Sequence, residues 1–146
     1  MIRAVLDTNV LASGFVEFAK AERAPAQLLR LWQEQRFALV VSAEILTELL
    51  NTFEDPYFRR HLTAEEIDAV RLLLQEEAIS MPLTSRISGV ASHPEDDYIL
   101  ATAVSAHAEY LVTGDKELQR LRNYQGVQVV SPRQFYDLLQ TPSSEL

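Results

Sequence analysis

The chain of 146 residues contains no cysteine, which excludes a disulfide framework and a thiolate metal site and leaves nothing that requires an oxidising compartment. It has no apolar run of membrane-spanning length. The opening MIRAVLDTNVLASG carries Asp7 inside its apolar stretch, which argues against both a signal peptide and a membrane helix. A cytoplasmic location without membrane contact is expected. Basic residues are scarce, with 13 Lys and Arg against 21 Asp and Glu and a net charge of -8. Such a balance opposes nonspecific attraction to a polyanion, unless the excess carboxylates gather around metal ions while arginines line the approach. Otherwise the acidity serves solubility. What the chain does have is apolar residues, 47% of the total. That is enough to bury one core and implies a single domain over residues 1–140, with TPSSEL (141–146) as a frayed tail.

Short apolar runs alternate with longer helical patterns. Ile2 to Leu6, Phe37 to Val41, Ile79 to Leu83, Tyr110 to Thr113 and Val127 to Val130 read as strands, the third of them weakened by Pro82. Asp7 is expected where the first strand meets a loop. Pro25 starts an amphipathic helix whose apolar side holds Leu28, Leu29, Leu31 and Trp32. Ser42 caps a helix with Ile45, Leu49 and Phe53 as its core stripe, and Thr63 with Glu66 forms a capping-box pattern. Residues 56–62 form a short irregular or helical connector and 85–95 a loop. Glu95 or Asp96 opens an alanine-rich helix, Lys116 to Leu121 forms a short one, and Ser131-Pro132 starts the last. This alternation predicts an α/β fold, a three-layer α/β/α sandwich around a mainly parallel sheet.

In such a sheet, polar residues beyond the C-terminal strand ends converge on a ligand cleft. Asp7 and Asp115 each follow a strand candidate, while Glu48 and Asp96 are expected from helix N-terminal regions facing the same cleft. Phosphodiester hydrolysis needs an attacking water, an oriented phosphate and stabilised charge on the entering and leaving oxygens. Oxygen ligands holding magnesium or manganese serve all three needs. Each acid taken alone has a structural reading as a turn residue or a partner of a helix dipole. It is the set of four that points to a metal site.

The segments LDTNVLASG, SAEILTELL, PEDDYILATA and YLVTGDKEL, in this order, resemble the PIN-domain family, specifically the toxin components of bacterial toxin–antitoxin pairs. The resemblance covers nearly the whole chain. It implies a Mg2+- or Mn2+-dependent endoribonuclease with Asp7, Glu48, Asp96 and Asp115 as the catalytic and metal-binding acids. It also implies Asn9 and Thr113 as polar supports, an antitoxin partner and a homodimer. Asp97 competes with Asp96, since a shift of one residue turns a side chain about 100° around a helix. The spacing to the ILATA run favours Asp96.

Ser13 can hydrogen-bond a phosphate or satisfy its own loop, and Ser42 reads as a cap rather than a nucleophile. Arg23, Arg59, Arg60, Arg86 and Lys116 are candidates for the RNA backbone, with solvated surface charge as the default for each. Tyr57 and Phe58 either stack on bases or pack beneath the connector. No nucleophile motif supports a Ser/His/Asp hydrolase, and LDTNV lacks the second acid expected of an aspartyl-phosphate phosphatase. A noncatalytic RNA- or protein-binding module of the same fold is the remaining alternative.

Overall fold

The computed structural model describes residues 1–18, 23–82, 89–90 and 94–140. Its sheet has strands β1 (Arg3–Leu6), β2 (Ala38–Val41), β3 (Ile79–Ser80), β4 (Tyr110–Val112), β5 (Asn123–Tyr124) and β6 (Val127–Val130), in the order β3-β2-β1-β4-β6-β5. Among the described residues, only the β5–β6 pair is antiparallel. The fold is the α/β/α sandwich expected from the alternation of elements. Strands β1, β2 and β4 are buried almost throughout because both faces are covered by helices, as parallel sheets require.

The helices are α1 (Thr8–Glu17), α2 (Ala24–Gln33), α3 (Ala43–Thr52), α4 (Pro56–Arg59), α5 (Ala64–Glu77), α6 (Pro94–Ser105), α7 (Lys116–Gln119) and α8 (Pro132–Gln140). Local chemistry accounts for most of their starts. Ser42 Oγ accepts from Ile45 N at 3.3 Å, and the Thr63–Glu66 capping box is complete in both directions. In α2, Leu28, Leu29, Leu31 and Trp32 are all buried, as is the Ile45–Leu49–Phe53 stripe of α3.

Four expectations are corrected. The chain beyond Asp7 is a helix, α1, rather than a loop: Thr8, Val10, Leu11, Ala12 and Gly14 are all buried, so no polar stripe marks it in the sequence. The strand expected to run to Leu83 is described only for Ile79–Ser80, an edge position, and Leu83 lies outside the described residues. The pair Asn123–Tyr124 forms an unforeseen antiparallel strand against β6, where Gly126 (φ 88°) supplies a positive-φ turn. Helix α6 begins at Pro94, so Glu95 belongs to it and not to the preceding loop. Most of that loop, and the tail 141–146, lie outside the described residues.

The sheet order positions the site. From β1 the chain moves to β2 on one side, and after β3 it crosses back through α6 to place β4 on the other side of β1. The C-terminal ends of β1 and β4 therefore flank the point where the winding reverses, the place at which open α/β sheets form ligand crevices. Asp7 leaves the first of these ends and Asp115 the second. Helix α6 packs on β1, β2 and β4 and on α3, while α1 packs on α2 and α3.

Candidate active site

Asp7 ends β1 and caps α1. Its Oδ1 accepts from Val10 N at 2.9 Å, and its own amide donates to Val112 O of β4 at 2.9 Å. The side chain is only 5% exposed. Burial pushes its carboxyl pKa up, and the negative charge of Asp115 adds to the rise. Hydrogen bonds from the Thr113 hydroxyl and from the Val10 and Asn9 amides oppose it. Thr113, fully buried, donates its hydroxyl to Asp7 Oδ2 and accepts from Asp115 N at 3.0 Å. Asp115 in turn caps α7, taking Glu117 N at 2.8 Å and Leu118 N at 3.4 Å on Oδ1.

Glu48 does not come from a helix N-terminal region, as expected, but from the middle of α3. It borders the cleft there, and its Oε1 accepts from the buried Thr8 hydroxyl at 2.9 Å. Asp96 lies in the first turn of α6, partly exposed. The adjacent Asp97 is 5% exposed and its Oδ2 accepts from Gly89 N at 3.0 Å. Thus Asp96 lines the cleft, whereas Asp97 ties α6 to the segment before it. Thr102, further along α6, donates to Ser42 Oγ at 2.9 Å and so joins α6 to the start of α3.

Asp7, Asn9, Glu48, Asp96 and Asp115 share the wall of one cavity of about 330 Å³, together with Thr8, Thr52 and Ile99. A contiguous cavity of about 410 Å³ adds Ser13, Pro25, Gly114 and Pro132 to Asp7, Asn9, Asp96 and Asp115. Ser13 sits within α1, so it belongs to a helix facing the cleft and not to a loop. Among the described residues, no three acidic side chains form a ready-made cluster able to hold an ion. The four acids face a common space without converging on one point.

Two of the candidate RNA contacts are engaged in ion pairs. Arg23 pairs with Glu17 at 3.2 Å and Arg59 with Glu54 at 2.9 Å; Arg86 is outside the described residues. Lys116 is exposed directly after Asp115. Phe58 packs edge-on against Phe53 with ring centroids 5.8 Å apart, and Tyr57 and His61 line an apolar groove rather than the acidic cleft.

Residues 3–117 match the family described as PIN domain, which spans most of the chain and all four acids. The chain belongs to the PIN-domain family. The fold is also that of a solved structure, VapBC2 from Rickettsia felis bound to a DNA fragment from their promoter. The similarity to a chain of that structure has a TM-score of 0.57 at 14% identity and covers 89% of the present chain and 98% of the other. None of the curated proteins matches the chain.

Residues that sequence reasoning passed over are Thr8 and Gly14. Thr8 stood beside Asp7 in LDTNV, but its partner is 40 positions away. A Cβ at Gly14 would lie 2.7 Å from Leu29 Cδ1 and 2.9 Å from Pro25 O, so this glycine allows α1 to approach α2 closely.

Proposed function

We propose that this PIN-domain protein is a divalent-metal-dependent endoribonuclease, with Asp7, Glu48, Asp96 and Asp115 as its catalytic and metal-binding acids, and that it serves as the toxin of a toxin–antitoxin pair in the cytoplasm. The observation that carries the reading is the shared cavity wall of these four acids at the reversal of the sheet winding. An all-oxygen donor set suits a hard cation such as Mg2+ or Mn2+. A preformed cage is not required, because Mg2+ keeps several waters and uses only one or two carboxylates. The raised pKa of Asp7 fits as well, since a nearby cation favours the charged form that burial disfavours. When bound, the ion supplies an activated water and neutralises charge on the phosphate oxygens.

The chain's own groups divide the remaining work. Thr113 orients Asp7 through Oδ2 while the α1 amide of Val10 holds Oδ1. Asn9, exposed on the first turn of α1, and Ser13, one turn later, face the same space and supply hydrogen bonds to an entering phosphate. The open cleft admits unpaired nucleotides, which makes single-stranded RNA the expected substrate. A homodimer is proposed alongside, and sedimentation over a concentration series tests it: a persistent monomer rejects it.

An antitoxin partner has its own support. The end of α1 with α2, α4 and α5 borders an apolar groove of about 670 Å³ that includes Phe15, Phe18, Trp32, Tyr57 and Leu73. On its wall, Glu17 Oε1 is buried without a hydrogen-bond partner among the described residues, while Oε2 pairs with Arg23. A buried acceptor left unsatisfied is costly, so an apolar segment bringing a basic side chain fits this groove.

Matched single-stranded RNA and duplex DNA, incubated with Mg2+, Mn2+ or a chelator, test the activity. Metal-dependent cleavage of RNA above DNA is expected. Equal cleavage of both polymers removes the RNA preference, and binding without cleavage favours a noncatalytic binding module.

A further inference from the structure

We propose that Thr8 is the positioning residue for Glu48, its hydroxyl clasping the carboxylate over the acidic cleft. This rests on the metal-site reading above. Glu48 stands on the wall between two cavities. One is the acidic cleft; the other, about 400 Å³, is lined by Ala43, Glu44, Thr47, Asn51, Tyr98 and others, and Glu48 with Ile99 borders both. A glutamate in mid-helix, partly exposed and with several rotatable bonds, therefore has two places to put its charge.

Thr8 decides between them. It borders only the acidic cleft of the two, is 5% exposed, and donates to Glu48 Oε1 at 2.9 Å. Its β-branched stem restricts rotation inside α1, and α1 is itself anchored at that turn by the Asp7 cap and packed on α3. The hydroxyl is thus a buried donor facing an acceptor on a longer, partly exposed side chain. One engaged oxygen leaves a carboxylate with further acceptor capacity towards the cleft. Because Thr8 adjoins Asp7 in the chain, the same turn that caps α1 with one acid orients the second. Outer partners of this kind set the orientation and affinity of metal ligands.

The test compares the parent with Thr8→Val, which keeps shape but removes the hydroxyl, and Thr8→Ser, which restores it. Mn2+ affinity by calorimetry and the carboxyl 13C resonance of Glu48 in the metal-free protein are the readouts. Thr8→Val is expected to weaken Mn2+ binding about 10- to 100-fold and to move the Glu48 resonance, with Thr8→Ser recovering most of both. If Thr8→Val does not fold, Thr8→Ala gives the same comparison. An unchanged affinity and resonance in the hydroxyl-free variant overturns the clasp, and so does a Thr8→Ser variant as impaired as Thr8→Val. A parent that binds Mn2+ but leaves RNA intact sinks the ribonuclease reading alone, and the affinity comparison still decides the clasp. A parent that binds no Mn2+ sinks the metal site; an unmoved Glu48 resonance then overturns the clasp as well.

Discussion

Thr113 donates its hydroxyl to Asp7 Oδ2 across 106 positions of sequence, and Thr113 Oγ1 itself accepts from Asp115 N at 3.0 Å. One side chain therefore links the two acids that leave adjacent strand ends. Removing it in Thr113→Val leaves a buried carboxylate oxygen with one donor fewer, and a loss of about 1–3 kcal/mol in urea unfolding is expected. Unchanged stability would show that the hydroxyl does not hold Asp7.

The pH dependence of the metal-free protein follows from Asp7. Its folded pKa is raised above the ordinary carboxylate value of 3.8, mainly by burial. The native state thus keeps a proton that the unfolded chain has released. The stability this contributes is fully present below the unfolded value and is lost as pH rises through the folded one. In a chelator, Asp7→Asn should be more stable than the parent at about pH 7.5, with the difference shrinking towards about pH 4. Urea unfolding of both proteins at the two pH values checks it; a gap that widens on acidification contradicts the sign.

Asp96 and Asp97 should separate cleanly. Asp96→Asn is expected to lower RNA cleavage about 100-fold or more and to weaken stabilisation by Mg2+. Asp97→Asn keeps an oxygen for Gly89 N and should be milder on both counts, whereas Asp97→Ala loses that acceptor and should cost about 1–3 kcal/mol of stability. Thermal unfolding with and without Mg2+, beside cleavage of one labelled RNA, distinguishes them. Selective loss in Asp97→Asn would reverse the assignment.

Gly14 is a packing glycine. Its replacement by Ala favours the helix by about 1 kcal/mol in propensity but drives a methyl to within 2.9 Å of the Pro25 carbonyl, a backbone atom with little freedom to yield. Overpacking of this kind costs about 1–3 kcal/mol, so the net effect should be destabilising. A Gly14→Ala variant with a higher unfolding midpoint would show that α1 and α2 can separate without loss.

The apolar groove gives a prediction about partners. Leu73→Asp, on the groove wall in α5, should abolish copurification of a native partner while leaving RNA cleavage by the isolated protein within about twofold. Retained copurification would place the partner elsewhere.

Local patterns in the sequence determined much of this. The Ser42 cap, the Thr63–Glu66 box and the apolar stripe Ile45–Leu49–Phe53 all depend on residues three or four apart, which a helix brings together whatever the rest of the chain does. The alternation of elements carried the layered fold, and the expected strand ends at Leu6 and Thr113 marked where Asp7 and Asp115 would emerge. Tertiary structure alone decided the rest. Helix α1 has no legible stripe because it is buried on most sides, and Gly14 has meaning only against Leu29 and Pro25. Glu48 borders the cleft from mid-helix with the Thr8 hydroxyl on its carboxylate, and Asp96 faces the cavity while Asp97 turns to Gly89. These relationships join residues whose separation in space is set by the order of strands and the packing of helices on them, and short-range spacing carries no information about either.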